Sequence, residues 1–482
     1  MSTSTVRQVD AAVIGAGPGG YHVAIRLGQL GKKVVCIDRD EVGGVCLNWG
    51  CIPTKALLHV GEVIRHIERA AALGLKVPKA EVEREAVAKF KTDVVNANVG
   101  GVKTLFKANG VEFVRGEASF VSPAEIEVKT DGGTERIAAA NIVIATGSAP
   151  VDVKAWPRDG ETIVNSDDAV RLTRIPKRLL VIGGGVIGLE FATVYRRLGA
   201  DVLVVEMMPQ ILTGTDIEIG KTLGRILKKQ GIEIMLNTKV GALEKQGTNV
   251  RATIGGEGTG GKDETREFDM VLVAVGRRPV TDHLNLKAAG LDVDERGFVA
   301  VDRQQRTKVA NIFAIGDVCG APLLAHRAMK QGVVAAEVIN GDRSAAFDPV
   351  GVPNCVYTDP EVATVGLSEE EAKAAGHEVR IGKFPLAASG RARTMNEGEG
   401  IIKLVGDARS DLLLGMHIVA PQAESLIGEG VIALEMGATL EDIGLSVHPH
   451  PTLTEGIMDA AEAAHGKAIH IINPKPKTPV TA

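Results

Sequence analysis

The pattern of apolar and polar residues repeats within this chain. Residues 10–39, DAAVIGAGPGGYHVAIRLGQLGKKVVCIDR, contain an apolar run, a glycine-rich segment, apolar positions at helical spacing, and a second apolar run that ends at Asp38. Residues 178–207, RLLVIGGGVIGLEFATVYRRLGADVLVVEM, have the same order and end at Glu206. Each segment predicts a strand, a tight turn, an amphipathic helix and a second strand. The chain is therefore expected to contain two βαβ units of one design.

Both turns fit the spacing G-x-G-x-x-G, and an acidic residue follows the first glycine at the same distance in each (38 − 15 = 206 − 183 = 23). The residues are Gly15, Gly17, Gly20 and Asp38 in the first unit and Gly183, Gly185, Gly188 and Glu206 in the second. Such glycines let backbone N–H groups approach a pyrophosphate at a helix N-terminus, and the acid accepts hydrogen bonds from ribose hydroxyls. Close packing of strand and helix also favours glycine, but it does not explain two matching acids. We predict two dinucleotide sites.

The residues around the turns indicate which nucleotide each unit binds. Glu206 is followed by MMPQ without a nearby arginine, and a carboxylate pairs with a 2′-hydroxyl but repels a 2′-phosphate. The second unit should therefore prefer NAD over NADP. Asp317, on the Gly-Asp turn of residues 311–320 (NIFAIGDVCG), is able to bind the sugar-like chain of a flavin. We expect FAD in the first unit.

Each βαβ unit continues into alternating apolar positions and closes on an apolar strand with a glycine turn, at residues 141–148 (NIVIATGS) and 270–277 (MVLVAVGR). The first unit is about 39 residues longer between its first and closing glycines, a rough measure of inserted structure. The excess lies mainly between Gly43 and roughly Gly110, where helical periodicity resumes. From about Gly351 short strands and helices mix without phosphate-loop glycines, an α+β pattern.

These patterns predict an α/β fold with two Rossmann-like, three-layer ββα dinucleotide-binding domains and a C-terminal α+β domain. The predicted bounds are 1–150 for the FAD-binding domain, 151–280 for the NAD-binding domain, 281–350 for a segment that returns to the FAD domain, 351–470 for the C-terminal domain and 471–482 for a flexible tail. The family resemblance given below implies that 281–350 is a central domain and that 351–470 is the interface, or dimerisation, domain.

Composition narrows the class of protein further. The chain has 482 residues, 45% of them apolar and 24% charged, which is typical of a globular protein with about three domains. A net charge of −5, without a basic stripe interleaved with aromatics, argues against a nucleic-acid partner. No apolar run approaches the roughly 18 residues of a membrane span, and MSTSTVRQVD lacks the features of a targeting segment. We expect a cytoplasmic protein with no membrane partner.

Two of the five cysteines lie close together, at Cys46 and Cys51 in GGVCLNWGCIPTK, residues 43–55. Five residues of an ideal helix span over about 7 Å, which exceeds the usual Cα separation of a disulfide. A bond between them requires a distorted turn, for which Gly50 and the pair Gly43-Gly44 provide freedom. Zinc needs further ligands at suitable spacing, which the sequence lacks, so we expect no metal. We favour a redox pair over two inert thiols.

A second candidate site lies near the C-terminus, in HPHPTLTE. His448, His450 and Glu455 surround Pro451, a residue that suits the first position of a helix, and we predict a helix from there. Glu455 is placed to bind one ring nitrogen of a histidine and leave the other to exchange protons as a general base. His450 directly precedes the proline and is our candidate, whereas we interpret His448 as a packing or interface histidine.

Taken together, seven segments resemble the motifs of the pyridine nucleotide-disulphide oxidoreductases. They are GAGPGG, GGVCLNWGCIPTKALLH, ATGS, GGGVIGLE, VGRRP, IFAIGD and HPHPTLTE, in family order. The resemblance extends from about residue 8 to about residue 470 and is strongest toward the members that oxidise dihydrolipoamide. It implies a flavoprotein that oxidises dihydrolipoamide to lipoamide and reduces NAD+ to NADH.

The resemblance also implies a role for each candidate residue. Cys46 is implied to exchange with substrate and Cys51 to contact the flavin, with Lys55 beside the flavin ring and paired with Glu190. The same resemblance implies that His450 is the acid-base catalyst, oriented by Glu455, and that it reaches the active site of the other subunit.

The implied assembly is an obligate homodimer that docks on lipoyl-bearing acyltransferases of 2-oxoacid dehydrogenase complexes or on the glycine cleavage system. Further positions match the family's cofactor contacts. They are Gly44, Ala118, Thr146, Gly147 and Ala325 for the flavin, and Val240, Gly276 and Arg277 for NAD. The sequence departs from the family at Asp38, where glutamate is more common, and at Trp49, where relatives often have a small aliphatic residue.

Overall fold

The structure is a computed structural model that describes residues 6–473. Its chain divides into two compact units. The first contains the residues up to Val60 with Val77–Arg174 and Ala274–Asp348, and the second contains Gly61–Lys76, Ile175–Val273 and the residues from Pro349 onward. The domain bounds given above stay predictions, and most of the predicted tail, residues 474–482, lies outside the described residues.

Strands and helices alternate in the two βαβ units, and runs of consecutive strands occur between and after them. The strands are β1 Arg7–Ile14, β2 Val34–Asp38, β3 Val111–Arg115, β4 Glu117–Ser122, β5 Glu125–Thr130, β6 Gly133–Ile144, β7 Ser148–Pro150, β8 Ile163–Val164, β9 Arg178–Ile182, β10 Asp201–Val205, β11 Ile232–Met235, β12 Thr238–Gln246, β13 Asn249–Gly256, β14 Glu264–Phe268, β15 Met270–Val273, β16 Arg277–Pro279, β17 Ile312–Ala314, β18 Asn354–Val356, β19 Glu361–Gly366, β20 Val379–Pro385, β21 Ile401–Asp407 and β22 Leu413–Ala420. The α-helices are α1 Pro18–Gln29, α2 Gly44–Asn48, α3 Cys51–Arg69, α4 Arg84–Ala108, α5 Ser166–Ala169, α6 Val186–Arg197, α7 Ile217–Lys229, α8 Ala325–Ile339, α9 Glu369–Ala374, α10 Gly390–Thr394, α11 Ala423–Glu435, α12 Leu440–Leu445 and α13 Glu455–Ala464.

The first unit is built on one sheet with strand order β3-β2-β1-β6-β5-β4 and with β17 also beside β6. Strands β3, β2, β1, β6 and β17 run parallel, whereas β4, β5 and β6 form an antiparallel meander. Alternate residues of β1 enter different cores, because successive strand residues point to opposite faces. Ala11 and Val13 face a core with helices α1, α4 and α8, and Ala12 and Ile14 face the meander. The parallel sheet therefore lies between a helical layer and a β layer.

A helical insertion separates β2 from its parallel neighbour β3. It consists of α2, α3 and α4 and includes both candidate cysteines, with Cys46 inside α2 and Cys51 at the first position of α3. In the second unit the corresponding step from β10 to β11 contains only α7. The insertion is the main difference between the two βαβ units.

The second unit repeats the parallel arrangement with strand order β11-β10-β9-β15, and β12, β13 and β14 form a separate antiparallel sheet. Its C-terminal part is an antiparallel sheet with strand order β18-β19-β22-β21-β20, covered by helices α11, α12 and α13 around one apolar core. The predicted fold class is confirmed. Within residues 6–473, none of the helices combines the length and apolar character that crossing a bilayer requires.

The predicted start of the last helix is wrong. Helix α13 begins at Glu455, four residues after Pro451. The reason lies in the Glu455 side chain, whose Oε2 accepts a hydrogen bond from Thr452 N at 2.8 Å. This bond holds the preceding segment against the helix end as a loop.

Candidate active site

The first glycine turn, residues 15–20, has the geometry of a phosphate cradle. Gly15 has φ +106°, and a Cβ there would lie 2.2 Å from Ala145 O, so only glycine fits. A Cβ at Gly20 would lie 1.8 Å from Gly15 O. Helix α1 begins after Gly17, which provides no side-chain cap, and Gly44 Cα, 4.0 Å away, is the nearest atom recorded to a Cβ built at Gly17. An uncapped helix N-terminus on a glycine turn suits a pyrophosphate.

The second glycine turn, residues 183–188, repeats this geometry. Gly183 has φ +109°, and a Cβ at Gly188 would lie 2.1 Å from Gly183 O. Helix α6 begins after Gly185, again without a side-chain cap, and no atom lies within 4 Å of a Cβ built at Gly185. Both turns therefore fit a dinucleotide.

The two acids are held in the same way at the ends of β2 and β10. Asp38 Oδ2 accepts from Ala16 N at 2.7 Å and Oδ1 from Asp40 N at 2.9 Å. Glu206 Oε2 accepts from Gly184 N at 2.7 Å and Oε1 from Met208 N at 2.8 Å. Burial raises the pKa of Asp38, and the two backbone hydrogen bonds oppose this rise. The shorter side chain of Asp38 therefore makes the same contacts as Glu206.

The Gly-Asp turn contacts the segment ATGS. Asp317 Oδ2 accepts a hydrogen bond from Ser148 Oγ at 2.5 Å, and Thr146 Oγ1 donates to Val280 O at 2.6 Å. Gly147 has φ +68° with no atom within 4 Å of a Cβ position. The structure therefore brings together Asp317, Thr146 and Gly147, which the sequence assigned to the flavin.

The other predicted flavin positions are more scattered. Ala118 is buried in β4, and Ala325 is the first residue of α8. Gly44 begins α2 with φ +54°, and a Cβ there would lie 2.7 Å from Gly17 Cα. The insertion therefore contacts the first glycine turn directly through backbone.

Cys46 and Cys51 are both thiols, at the junction of α2 and α3. A hydrogen bond with Cys51, followed by burial, raises the pKa of Cys46, and the charge of Lys55 opposes the rise. The helix breaks between the two residues at Trp49, which has φ −147°. A Cβ at Gly50 would lie 2.9 Å from Val45 O, so the break depends on glycine. The two sulfurs therefore meet across an interrupted helix.

Gly43 and Gly44 allow the chain to enter α2 at this angle. Both have positive φ, +99° and +54°, a conformation that is open to glycine and strained for other residues. Asn48 Nδ2 then donates to Val42 O at 3.1 Å and to Gly44 O at 2.9 Å. These bonds close α2 into a compact turn that presents Cys46.

Tyr21 is a neighbour of the thiols that sequence reasoning missed. Burial, followed by the charges of Cys46 and Cys51, raises the pKa of Tyr21 to about 12. Tyr21 lies in the first turns of α1, directly after Gly20. The sequence does contain a signal for this contact, since a tyrosine directly follows the first glycine turn and a segment with two cysteines comes soon after it.

Lys55 and Glu190 lie in different compact units, and their pairing stays a prediction. Lys55 lies one turn after Cys51 in α3. Glu190 is buried in α6, where Oε1 accepts a hydrogen bond from Tyr357 N at 3.0 Å.

The structure brings His450 and Glu455 together. His450 Nδ1 lies 2.8 Å from Glu455 Oε1. Burial raises the pKa of Glu455, but the hydrogen bonds from His450 and Thr452 N outweigh it and hold that pKa below its usual value. His448 binds Glu429 Oε1 through Nε2 at 2.9 Å with a side chain that is 8% exposed, whereas the His450 side chain is 80% exposed. Only His450 therefore presents its second nitrogen to solvent.

The remaining predicted NAD positions lie on two segments. Val240 is in β12 and its side chain is buried. Gly276 has φ +129° and no atom within 4 Å of a Cβ position. Arg277 begins β16, and its guanidinium donates to Ser148 Oγ and Ser148 O at 2.8 and 2.7 Å. Arg277 is therefore engaged inside the first unit.

The chain matches two sequence families. Residues 9–332 match the family described as pyridine nucleotide-disulphide oxidoreductase, and residues 352–461 match its dimerisation domain. The chain belongs to this family. The membership confirms FAD and NAD as its cofactors, and the dimerisation domain confirms a homodimer.

Relatives and solved structures agree with this assignment over nearly the whole length. The dihydrolipoyl dehydrogenase of Thermus scotoductus is 50% identical over 469 residues, which are 97% of this chain and 100% of that protein. The dihydrolipoyl dehydrogenase of Halobacterium salinarum is 42% identical, over 96% and 98%. The structure of LpdA from Mycobacterium tuberculosis has a TM-score of 0.86 at 26% identity, over 94% and 99% of the two chains. A flavoprotein disulfide reductase of Escherichia coli, RclA, has a TM-score of 0.84 at 26% identity, over 95% and 99%.

Proposed function

We propose that this chain is a dihydrolipoyl dehydrogenase, which oxidises a dihydrolipoyl group to a lipoyl group and reduces NAD+ to NADH. The observation that carries the proposal is the placement of Cys46 in α2 and Cys51 at the start of α3, on either side of a helix break, in an insertion that contacts the first glycine turn through Gly44. Similarity over the whole chain to proteins named dihydrolipoyl dehydrogenase supports the choice of substrate.

The first unit is proposed to bind FAD and the second NAD. FAD, when bound, accepts two electrons and passes them to NAD+ as a hydride. The residues proposed to hold FAD are Gly15, Gly17, Gly20, Asp38, Gly44, Lys55, Ala118, Thr146, Gly147, Asp317 and Ala325, with Glu190 as the partner of Lys55. The residues proposed to hold NAD are Gly183, Gly185, Gly188, Glu206, Val240 and Gly276. The uncapped helix N-termini on both glycine turns support this assignment.

The chain's own part in the reaction is a thiol–disulfide exchange. With Cys46 and Cys51 joined as a disulfide, a dihydrolipoyl thiolate attacks Cys46 Sγ, forms a mixed disulfide and releases Cys51 as a thiolate. The second dihydrolipoyl thiolate then displaces Cys46, so that lipoyl leaves as a disulfide and both cysteines are reduced. Cys51 is proposed to lie on the flavin side, where FAD, when bound, would accept the electron pair.

As the dihydrolipoyl group reacts, its second thiol gives its proton to the displaced Cys46, and the proton of the first attacking thiol is proposed to go to His450. Its Nδ1 is bound to the Glu455 carboxylate, which leaves Nε2 to accept a proton as a general base. The hydrogen bonds that lower the pKa of Glu455 against the effect of burial keep this carboxylate charged, and a charged partner stabilises the imidazolium that forms.

The position of His450 supports a site shared between two chains. Its side chain is 80% exposed in the single chain and belongs to the segment matched by the dimerisation domain. We infer that His450 of one subunit completes the thiol site of the other. The lipoyl-bearing partner is proposed to be an acyltransferase of a 2-oxoacid dehydrogenase complex or the lipoyl protein of glycine cleavage. A cytoplasmic location is proposed with it, because five scattered cysteines do not resemble the disulfide framework of a secreted protein.

A steady-state panel with dihydrolipoamide, glutathione disulfide, NAD(H) and NADP(H) tests the proposal. We expect turnover with dihydrolipoamide and NAD+, and a fall of about 10²- to 10³-fold in His450→Gln, since an acid-base group contributes that much. His448→Gln is the matched control and should stay within a few-fold of wild type. Preference for NADPH, or no turnover of dihydrolipoamide by the flavin-containing protein, contradicts the proposal.

A further inference from the structure

Three side chains in the first unit form a chain of hydrogen bonds that joins distant parts of the sequence. Arg277 Nε donates to Ser148 Oγ at 2.8 Å, and Ser148 Oγ donates to Asp317 Oδ2 at 2.5 Å. Arg277 Nη2 also donates to Ser148 O at 2.7 Å. One arginine therefore holds both the hydroxyl and the carbonyl of Ser148.

The directions of these bonds follow from the chemistry of the groups. A guanidinium can only donate, so Ser148 Oγ must accept from Arg277. The single hydroxyl proton of Ser148 is then directed at the Asp317 carboxylate, which can only accept when ionised. Both bonds involve a charged group and are stronger than neutral ones. The Asp317 carboxylate is therefore fixed in orientation through Oδ2.

Fixing Oδ2 leaves the second oxygen of Asp317 available. In the described part of the chain, Oδ1 makes no hydrogen bond, while Ser148 is 4% exposed and closed to solvent. Asp317 itself is half-buried at the start of a short 3-10 helix, Gly316–Cys319, whose Gly316 N is bound to Gln331 Oε1 at 2.8 Å. An oriented acceptor on an anchored turn suits a ligand hydroxyl.

We propose that Ser148 and Arg277 are positioning residues that hold the Asp317 carboxylate ready to accept a hydrogen bond from a hydroxyl of the flavin's sugar-alcohol chain. The inference rests on the proposed FAD site and assigns Arg277 to that site instead of the NAD contact predicted from the sequence.

A second carboxylate, that of Asp167, also lies near Arg277. Burial raises the pKa of Asp167, and the charge of Arg277 opposes this rise. Asp167 lies on α5 and has no hydrogen bond to Arg277 among the described residues.

The release of FAD from the purified holoenzyme tests this assignment. The rise in flavin fluorescence after dilution measures the release rate for wild type, Ser148→Ala, Arg277→Gln and Arg278→Gln. We expect release at least about tenfold faster in Ser148→Ala and Arg277→Gln, as for the loss of a hydrogen bond to a charged group, with the KM for NAD+ within twofold of wild type. Arg278 is the matched control, since this neighbour binds Asp282 on the surface.

A double-variant cycle separates positioning from a general loss of stability. In an Asp317→Asn background, Ser148→Ala should accelerate FAD release by less than twofold, because its effect depends on the carboxylate. Independent, additive effects overturn the proposal, as does an Arg277→Gln protein that keeps its FAD and shows a raised KM for NAD+. Failure of the proposed function is separate, since it appears as a wild-type holoenzyme that retains FAD and does not oxidise dihydrolipoamide.

Discussion

The two glycine turns of this protein have nearly the same backbone geometry, although their sequences differ. Gly15 and Gly183 have φ of +106° and +109°, and the acids at the ends of β2 and β10 accept the same two backbone hydrogen bonds at distances between 2.7 and 2.9 Å. The side chain of Glu206 is one methylene longer than that of Asp38, and it makes the same contacts. The acid is therefore held by the turn itself, and the turn alone does not distinguish a flavin site from a nicotinamide site.

The segments that come after the two acids do distinguish the sites. After Asp38 the chain forms α2, α3 and α4, with two thiols and with Gly43 and Gly44 of positive φ at its entry, whereas after Glu206 the only α-helix before the return to the sheet is α7. The glycine turn is thus a repeated part, and the chemistry proposed for this chain lies in an insertion that contacts one copy of that turn. Changes in the insertion and in the turns should therefore have separable effects.

The largest effect is expected from the insertion. Cys46→Ser removes the thiol that is proposed to exchange with substrate, so turnover of dihydrolipoamide should fall by about 10³-fold or more, while FAD and NAD+ still bind. Stopped-flow and flavin fluorescence measure the two properties separately. Cys355→Ser, a thiol on β18 outside the pair, is the control. Loss of FAD in Cys46→Ser would show that insertion and turn are not separable.

The next effect concerns the second turn alone. In Gly188→Ala a methyl group would lie 2.1 Å from Gly183 O, so the turn must shift and its N–H groups lose their aim at the pyrophosphate. We expect the KM for NAD+ to rise by about 10- to 100-fold, with FAD retained. Gly224→Ala in α7, where the nearest atom is 3.6 Å away, should leave the KM unchanged. An equal loss of FAD contradicts the independence of the two units.

A smaller effect is expected at the acid of the second unit. Glu206→Gln keeps the size of the side chain but removes the charge that repels a 2′-phosphate. The ratio of kcat/KM for NAD+ to that for NADP+ should fall by about tenfold, as measured by steady-state kinetics with both nucleotides. Glu233→Gln, an exposed residue of β11 paired with Arg266, is the control. A ratio that does not change would place the selectivity elsewhere.

The smallest effect is a pH dependence at the acid of the first unit. Burial raises the folded-state pKa of Asp38, so protonation favours the folded state. This contribution is present below the unfolded pKa of about 4 and is lost as the pH rises through the folded pKa. In thermal unfolding of the flavin-free protein, wild type should lose stability relative to Asp38→Asn as the pH rises from about 4 through the folded-state pKa of Asp38. Parallel curves for the two proteins would contradict the raised pKa.

The features that could be predicted from the sequence are those set by residues close together in the chain. Glycine spacing and the acid 23 positions later are set within one βαβ unit, and so both cradles and the fold class could be predicted from the sequence alone. The helix start predicted at Pro451 was wrong, since the helix begins at Glu455, whose side chain accepts a hydrogen bond from Thr452 N in the preceding loop.

Contacts between distant segments could not be predicted in this way. Ser148 and Arg277 are 129 positions apart, and their meeting depends on the pairing of β7 with β16. Tyr21 approaches the thiols because Gly44 packs on Gly17. Each of these contacts requires the sheet and the insertion to be folded first, and no pattern in a single segment encodes it.

The exposure of His450 has a consequence for inheritance. Under the proposed arrangement, a chain with a defective His450 retains competent thiols but disables those of the chain with which it pairs. If a variant chain is made together with the wild-type chain, it would therefore inactivate the thiol site of the wild-type chain with which it pairs. Such a variant would act as a dominant allele. Conversely, a chain without its thiols and a chain without its histidine would together rebuild one working centre.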